Sequence, residues 1–113
     1  MKNFIVASSL IVLVAVTLTA DARGDDTVVK LRFENHRFTP QTITVPANQP
    51  FKIKVINGSK ETIEFESFKL NRERVAGPGE TIIISLPALK PGSYDDFYDD
   101  FHQDVPEGSI TAK

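Results

Sequence analysis

The sequence of 113 residues contains no cysteine, and its only methionine is the initiator. The missing thiol excludes disulfides, zinc fingers, thiolate catalysis and iron–sulfur clusters held by this chain alone. It also excludes a blue-copper centre, because such a centre needs a cysteine thiolate bound to the copper. Any metal ion must therefore be held by carboxylates and imidazoles.

Neither sign of charge dominates, since 13 basic and 15 acidic side chains leave a net charge of −2. This balance argues against general nucleic-acid binding. The length allows one domain and not two. With 41% hydrophobic residues and no disulfide, that domain must be stabilised by the packing of its core.

The first segment has the pattern of an export signal. Lys2 is followed by an apolar run from position 4 to position 20 and then by the small residues Ala20-Asp21-Ala22. A signal peptidase accepts small residues at this spacing, so we predict a signal peptide at 1–22, cleaved after Ala22, and a mature periplasmic domain at 23–113. The alternative is an uncleaved anchor, although the run is short for the roughly 20 apolar residues of a membrane span.

The mature chain has the pattern of an all-β domain. Short alternating or β-branched stretches are separated by turn signals about every ten residues, without helical periodicity. These stretches lie at 27–33, 42–45, 51–55, 62–68, 81–86, 93–97 and 107–112. The stretch at 81–86 is nearly all apolar, as expected of a strand buried on both faces. The pattern predicts an antiparallel Greek-key β-sandwich of about seven strands.

The segment from position 94 to position 107 is rich in acidic residues. It holds six of them, one histidine and no lysine or arginine. Like charges repel unless they are solvated, paired or bound to a cation. Two interpretations remain open: a solvated acidic loop, or a metal-binding loop in which Asp99, Asp100 and His102 supply ligands. Four aromatic residues within the segment predict that it packs against the sandwich.

A second acidic feature is Glu64-Phe65-Glu66. Residues two apart on a strand share a face, so both carboxylates point the same way. They either lie on a solvent-exposed face of the strand and pair with Lys52 or Lys54 on a neighbouring strand, or they hold a cation between them.

Two further residues carry weaker signals. His36 follows the first predicted strand, where a single histidine is usually a surface residue. Glu73 lies between Arg72 and Arg74, which predicts a surface ion pair that contributes little to stability.

Several of these motifs together resemble a known family. They are Phe38-x-Pro40-x-x-Ile43-x-Val45, Phe51-x-Ile53-x-Val55-x-Asn57, Glu64-Phe65-Glu66, Pro78-Gly79 and Pro91-Gly92-x-Tyr94. The sequence from about position 28 to the end resembles the cupredoxin-like domains of bacterial iron-uptake systems. The resemblance is to EfeO-type domains and to small stand-alone periplasmic proteins that accompany an iron permease.

The resemblance implies a cupredoxin-like Greek-key sandwich and a metal site at one end of it. The family's thiolate ligand does not carry over, because no cysteine stands at the matching position, Phe38 or Thr39. The acidic pair and the last loop do carry over, Glu73 resembles an acidic position of the family, and His36 is a further candidate. The candidate metal ligands are Glu64, Glu66, Glu73, Asp99, Asp100, His102 and His36.

The function implied is that of a periplasmic metal-binding protein accessory to iron uptake. It would bind Cu(II) or iron through carboxylates and histidine, without enzymatic turnover, beside a membrane iron permease. One alternative is a metal-free interaction module that docks to a membrane transporter through its acidic loop. Another is a copper-dependent ferroxidase.

Overall fold

The structure is a computed structural model that describes residues 27–113, apart from the side chains at positions 95 and 96. The predicted signal peptide lies outside the described residues. Between residues 27 and 113, no helix is long and apolar enough to span a membrane.

All regular structure in this range is β-strand, which confirms the predicted class. There are nine strands: β1 (Val28–Glu34), β2 (Arg37–Thr39), β3 (Thr42–Val45), β4 (Phe51–Asn57), β5 (Ile63–Ser67), β6 (Arg72–Ala76), β7 (Thr81–Leu86), β8 (Gly92–Asp99) and β9 (Gly108–Ala112). The two strands that the sequence did not indicate are the three-residue β2 and the highly charged β6.

The strands form two sheets, one with the order β2-β1-β4-β7 and the other with the order β3-β9-β8-β5-β6. Two pairs are parallel, β1 with β4 and β3 with β9, so the expectation of a wholly antiparallel sandwich is corrected. Parallel neighbours need a crossover connection, and here the chain between β1 and β4 crosses to the second sheet through β3.

Aromatic side chains join the two sheets in the core. Phe38, from the four-stranded sheet, packs edge-on against Phe97 of the five-stranded sheet, with ring centroids 5.4 Å apart. Phe97 in turn stacks on Phe65 at 5.7 Å. The prediction that aromatic residues pin the acidic segment is therefore confirmed for Phe97, whereas Phe101 is half exposed.

Strand β7 lies at the edge of its sheet and is not buried on both faces as its apolar sequence predicted. Ile82 and Ile84 face the core, whereas the side chain of Ile83 is 43% exposed. A short apolar run does not reveal by itself how many of its faces are covered. Two arginines of β6 hydrogen-bond to backbone carbonyls of β7. Arg72 Nε donates to Ser85 O at 2.9 Å, and Arg74 donates to Ile83 O at 3.3 Å.

The turn after β4 is held by the buried side chain of Asn57. Its Nδ2 donates to the carbonyls of Glu61 at 2.7 Å and Gly77 at 3.0 Å. Its Oδ1 accepts from the amide of Ser59 at 3.0 Å. These bonds fix the path of the turn that carries Glu61.

The aromatic core makes Gly108 a sensitive position. A methyl group added there would overlap the ring of Phe97, which lies opposite Gly108 in the β8–β9 pair. We expect Gly108→Ala to lower the free energy of unfolding by about 1–3 kcal/mol, the usual cost of overpacking a core. Chemical denaturation of both proteins measures the difference.

Gly77→Ala is the matched control, because the only close atom there is Oε2 of the flexible Glu80 side chain, at 3.3 Å. Equal losses in the two variants would contradict the packing argument.

Candidate metal site

Strand β5 places Glu64 and Glu66 on one face and the fully buried Phe65 on the other, as predicted. It lies between β6 and β8, so the carboxylates lie on the outer face of the five-stranded sheet. Lys52 and Lys54 belong to β4 in the other sheet. The predicted pairing of the glutamates with these lysines is therefore wrong.

The turn after β8 brings a third carboxylate to this face. The amide of Asp100 donates to Glu64 O at 3.0 Å. One carboxylate oxygen from each of Glu64, Glu66 and Asp100 then lies within 4.8 Å of the other two. We name these three residues the carboxylate cluster. Glu64 is buried, whereas Glu66 and Asp100 are more exposed to solvent.

Glu73 adjoins the carboxylate cluster from β6, where it lies opposite Glu66. A hydrogen bond to Glu73, burial, and the negative charges of Glu73 and Asp100 raise the pKa of Glu64 from 4.5 to about 7. The guanidinium groups of Arg72 and Arg74 are bonded to β7 carbonyls. The predicted ion pair with Glu73 is thus replaced by a carboxyl–carboxylate contact.

Asp99 was predicted as a ligand, and its fully buried carboxylate accepts three hydrogen bonds from the protein. Oδ1 accepts from the amides of Glu64 at 2.9 Å and Phe101 at 3.1 Å. Oδ2 lies 2.7 Å from His102 Nδ1. Asp99 therefore holds the turn after β8 against β5.

His102 and His36 are brought together, with ring centroids 5.9 Å apart. His102 Nε2 lies 3.5 Å from Glu61 Oε2, and His36 Nε2 lies 2.8 Å from Asp104 Oδ2. The hydrogen bond to Asp99 and its negative charge raise the pKa of His102 against the opposing effect of burial. Among the side chains that the structure describes, the carboxylate cluster is the only set of three ligand groups at mutual distances of 4.8 Å or less, and it excludes both histidines.

Glu61 and Asp104 were not predicted as site residues. Asp104 lies in the acidic segment, so its charge was a usable signal. Glu61 gave none, because its position beside His102 depends on the turn that Asn57 holds.

The nine-stranded sandwich with an acidic end matches a known class of domain. The chain fits the model of the cupredoxin-like domain over residues 6–112 and belongs to that family. An uncharacterized protein of Rickettsia prowazekii (strain Madrid E) is 39% identical over 82 residues, which are 73% of this chain. The match spans 65% of the length of that relative.

Solved structures of other cupredoxin-fold domains superpose well on this chain. The metal-binding domain of the Cu(I)-exporting ATPase CopA of Streptococcus pneumoniae D39 gives a TM-score of 0.67 at 16% identity, covering 76% of this chain and 84% of that one. Auracyanin A, a blue copper protein of Chloroflexus aurantiacus, gives 0.59 at 15% identity, covering 77% and 98%. At such identities the likeness establishes the fold alone, and it confirms the cupredoxin-like prediction.

A blue-copper centre does not fit this chain. The thiolate that defines it is missing from the whole sequence, and the only methionine is Met1. The donor atoms at this end of the fold are carboxylate oxygens and imidazole nitrogens, which suit harder ions.

The raised pKa of Glu64 predicts a dependence of stability on pH. A carboxyl whose pKa is 4.5 when unfolded and about 7 when folded stabilises the protein below pH 4.5, and this contribution is lost as the pH rises to about 7. Glu73→Gln removes one of the causes, so it should lower the pKa of Glu64 and reduce the loss of stability between pH 5 and pH 8. Carboxyl ¹³C NMR titration and chemical denaturation measure the two effects.

Glu107→Gln is the control, since it removes the same charge from an exposed position outside the carboxylate cluster. A Glu64 carboxyl that titrates near pH 4.5 in the unaltered protein would refute the prediction.

Proposed function

We propose that this protein binds a metal ion at the carboxylate cluster and serves as an exported accessory of iron uptake. The observation that carries the proposal is the convergence of three carboxylate oxygens within 4.8 Å of one another. Two of them come from strand β5 and the third from the turn after β8, and the buried Asp99 holds that turn in place.

Electrostatics supports a cation at this position. The hydrogen bond to Glu73, burial, and the negative charges of Glu73 and Asp100 raise the pKa of Glu64, so its ionised form is disfavoured in the absence of a cation. A bound cation would offset this effect and favour the ionised form of Glu64. When bound, the ion would be held by Glu64, Glu66 and Asp100, with Glu73 as a neighbouring carboxylate.

The donor set favours certain metals. Carboxylate oxygens suit hard ions such as Fe(III) and Mn(II), and Cu(II) competes because it binds most N and O donors more tightly than other divalent ions. Two of the structurally similar proteins, the CopA metal-binding domain and auracyanin A, are described as copper-binding. For this chain it is a candidate beside iron.

The assignment to iron uptake rests on the resemblance of the motifs to EfeO-type domains and their stand-alone relatives. It implies a membrane iron permease as the partner that receives the ion. Export to the periplasm rests on the signal pattern at 1–22. An exported chain that begins at Arg23 would support it, and a full-length membrane-bound chain would contradict it.

Removing one charge from the carboxylate cluster should weaken metal binding. We expect Glu66→Gln and Asp100→Asn each to lower the affinity for Mn(II) or Fe(III) by at least about tenfold. A loss of about this size follows even when only a group that hydrogen-bonds to a metal ligand is removed. Calorimetric titration with Mn(II), Fe(III), Cu(II) and Zn(II) measures this. Glu107→Gln should bind as the unaltered protein does. Affinities for Mn(II) and Fe(III) that are unchanged in both cluster variants would disprove the site.

The proposal is one of binding without turnover. Fe(II) in the presence of the protein and one equivalent of Cu(II) should be oxidised no faster than in a blank that contains the same copper. Oxygen consumption measures the rate. A catalysed rate that is lost in Asp100→Asn would instead establish a ferroxidase.

A metal-free docking module is the second candidate, and one observation favours it. The side chain of Phe101 is 50% exposed within the acidic segment, beside Asp100. An exposed aromatic ring among carboxylates suits a partner surface that is basic and partly apolar. Failure of all four ions to bind in the titration would favour this function.

A further inference from the structure

The outer face of the four-stranded sheet is rich in positive charge. On β1, β2 and β4 every second side chain faces the core, so the residues between them face outward. The register places Lys30 beside Lys54 at the centre of this face. The outward cations of the sheet are Lys30, Arg32, Arg37, Lys52 and Lys54.

These five cations have little counter-charge. The four strands of the sheet contain one acidic residue, Glu34, and its carboxylate pairs with Arg32 at 2.7 Å. Within residues 27–113, leaving aside the side chains at 95 and 96, none of the other four cations forms a salt bridge. Arg72 and Arg74 reach the carbonyls of β7 and extend the positive charge along the edge of the sheet.

Apolar side chains lie between the cations on the same face. Val28 is 48% exposed and lies beside Lys52, and Ile83 is 43% exposed and lies beside Lys54. Lysines with exposed aliphatic side chains between them match a surface that offers both negative groups and an apolar layer.

The other outer face of the sandwich has the opposite sign. The five-stranded sheet carries the carboxylate cluster and Glu73 there. Because packed sheets lie about 10 Å apart, the two signs are separated across the thickness of the domain. A nearby anionic surface would therefore attract the four-stranded sheet and repel the five-stranded one, which orients the domain.

We propose that the outer face of the four-stranded sheet docks this domain on a membrane that contains anionic phospholipids. We name it the basic face, and its residues are Lys30, Arg32, Arg37, Lys52, Lys54, Val28 and Ile83. Its cations contact lipid phosphates, and its two aliphatic side chains enter the headgroup region. A lipid surface fits better than a single anionic ligand, because the cations are spread over three strands and do not converge on one point. Docking leaves the carboxylate cluster open to solvent and does not require that it bind metal.

Co-sedimentation with lipid vesicles tests the basic face. The protein used is chain 23–113, which keeps both sheets and the core between them, because the apolar run at positions 4–20 would enter lipid by itself. We expect it to bind vesicles that contain phosphatidylglycerol and to bind vesicles of phosphatidylcholine alone much more weakly. Added salt should release it, because the screening length shortens as ionic strength rises.

Lys30→Gln combined with Lys54→Gln should weaken binding to the phosphatidylglycerol vesicles about 25-fold, since each cation near an anionic surface contributes roughly fivefold. The matched control combines Lys69→Gln with Lys113→Gln. It removes the same charge from the turn after β5 and from the chain end after β9, both in the other sheet, and should bind nearly as the unaltered protein does. A ¹H–¹⁵N spectrum unchanged away from the substitutions confirms that the variants are folded.

Equal binding to both kinds of vesicle would overturn the basic face. Equal losses in the two double variants would also overturn it, because net charge alone would then explain the binding. If the protein does not bind anionic vesicles but self-associates without lipid, and the Lys30 and Lys54 variant does not, the face instead contacts the carboxylates of a second copy. None of these results bears on metal binding by the carboxylate cluster, which calorimetry measures separately.

Discussion

The buried carboxylate of Asp99 is the constraint on which both ends of the candidate site depend. It accepts the amides of Glu64 and Phe101 and contacts His102 Nδ1. One carboxylate thus joins β5, the turn after β8 and a histidine. Because a buried carboxylate must be fully hydrogen-bonded, this turn has little freedom. Asp100 is consequently directed to the glutamates of β5, and His102 is fixed in orientation.

The sandwich supplies a rigid frame for ligands that differ from those of a blue copper protein. The fold is the one that auracyanin A has, but the chain has no thiol. Its donors separate into three carboxylates on a sheet face and two imidazoles at adjacent turns. In the first group, the hydrogen bond to Glu73, burial and the neighbouring negative charges together raise the pKa of Glu64.

The sequence predicted the strands with clear alternation and the shared face of Glu64 and Glu66, because both follow from the two-residue period of a strand. It did not predict β6 or the exposed edge of β7. Those depend on which strand lies beside which, and charged residues such as Arg72 and Arg74 give no sign that they will cap a neighbouring sheet. Of the seven residues that the sequence predicts as metal ligands, the structure brings three together in the carboxylate cluster.

The sequence by itself determined the all-β class, the absence of any sulfur ligand and the density of acidic residues near the end of the chain, since composition and local periodicity are properties of the chain alone. Only the tertiary structure decided that Asp99 turns inward while Asp100 faces the glutamates. It also decided that Glu61, which no local pattern marked, lies beside His102. These placements depend on contacts between residues some 35 or more positions apart, such as that of Asp99 with Glu64, and such contacts form only when strands distant in sequence pair in one sheet.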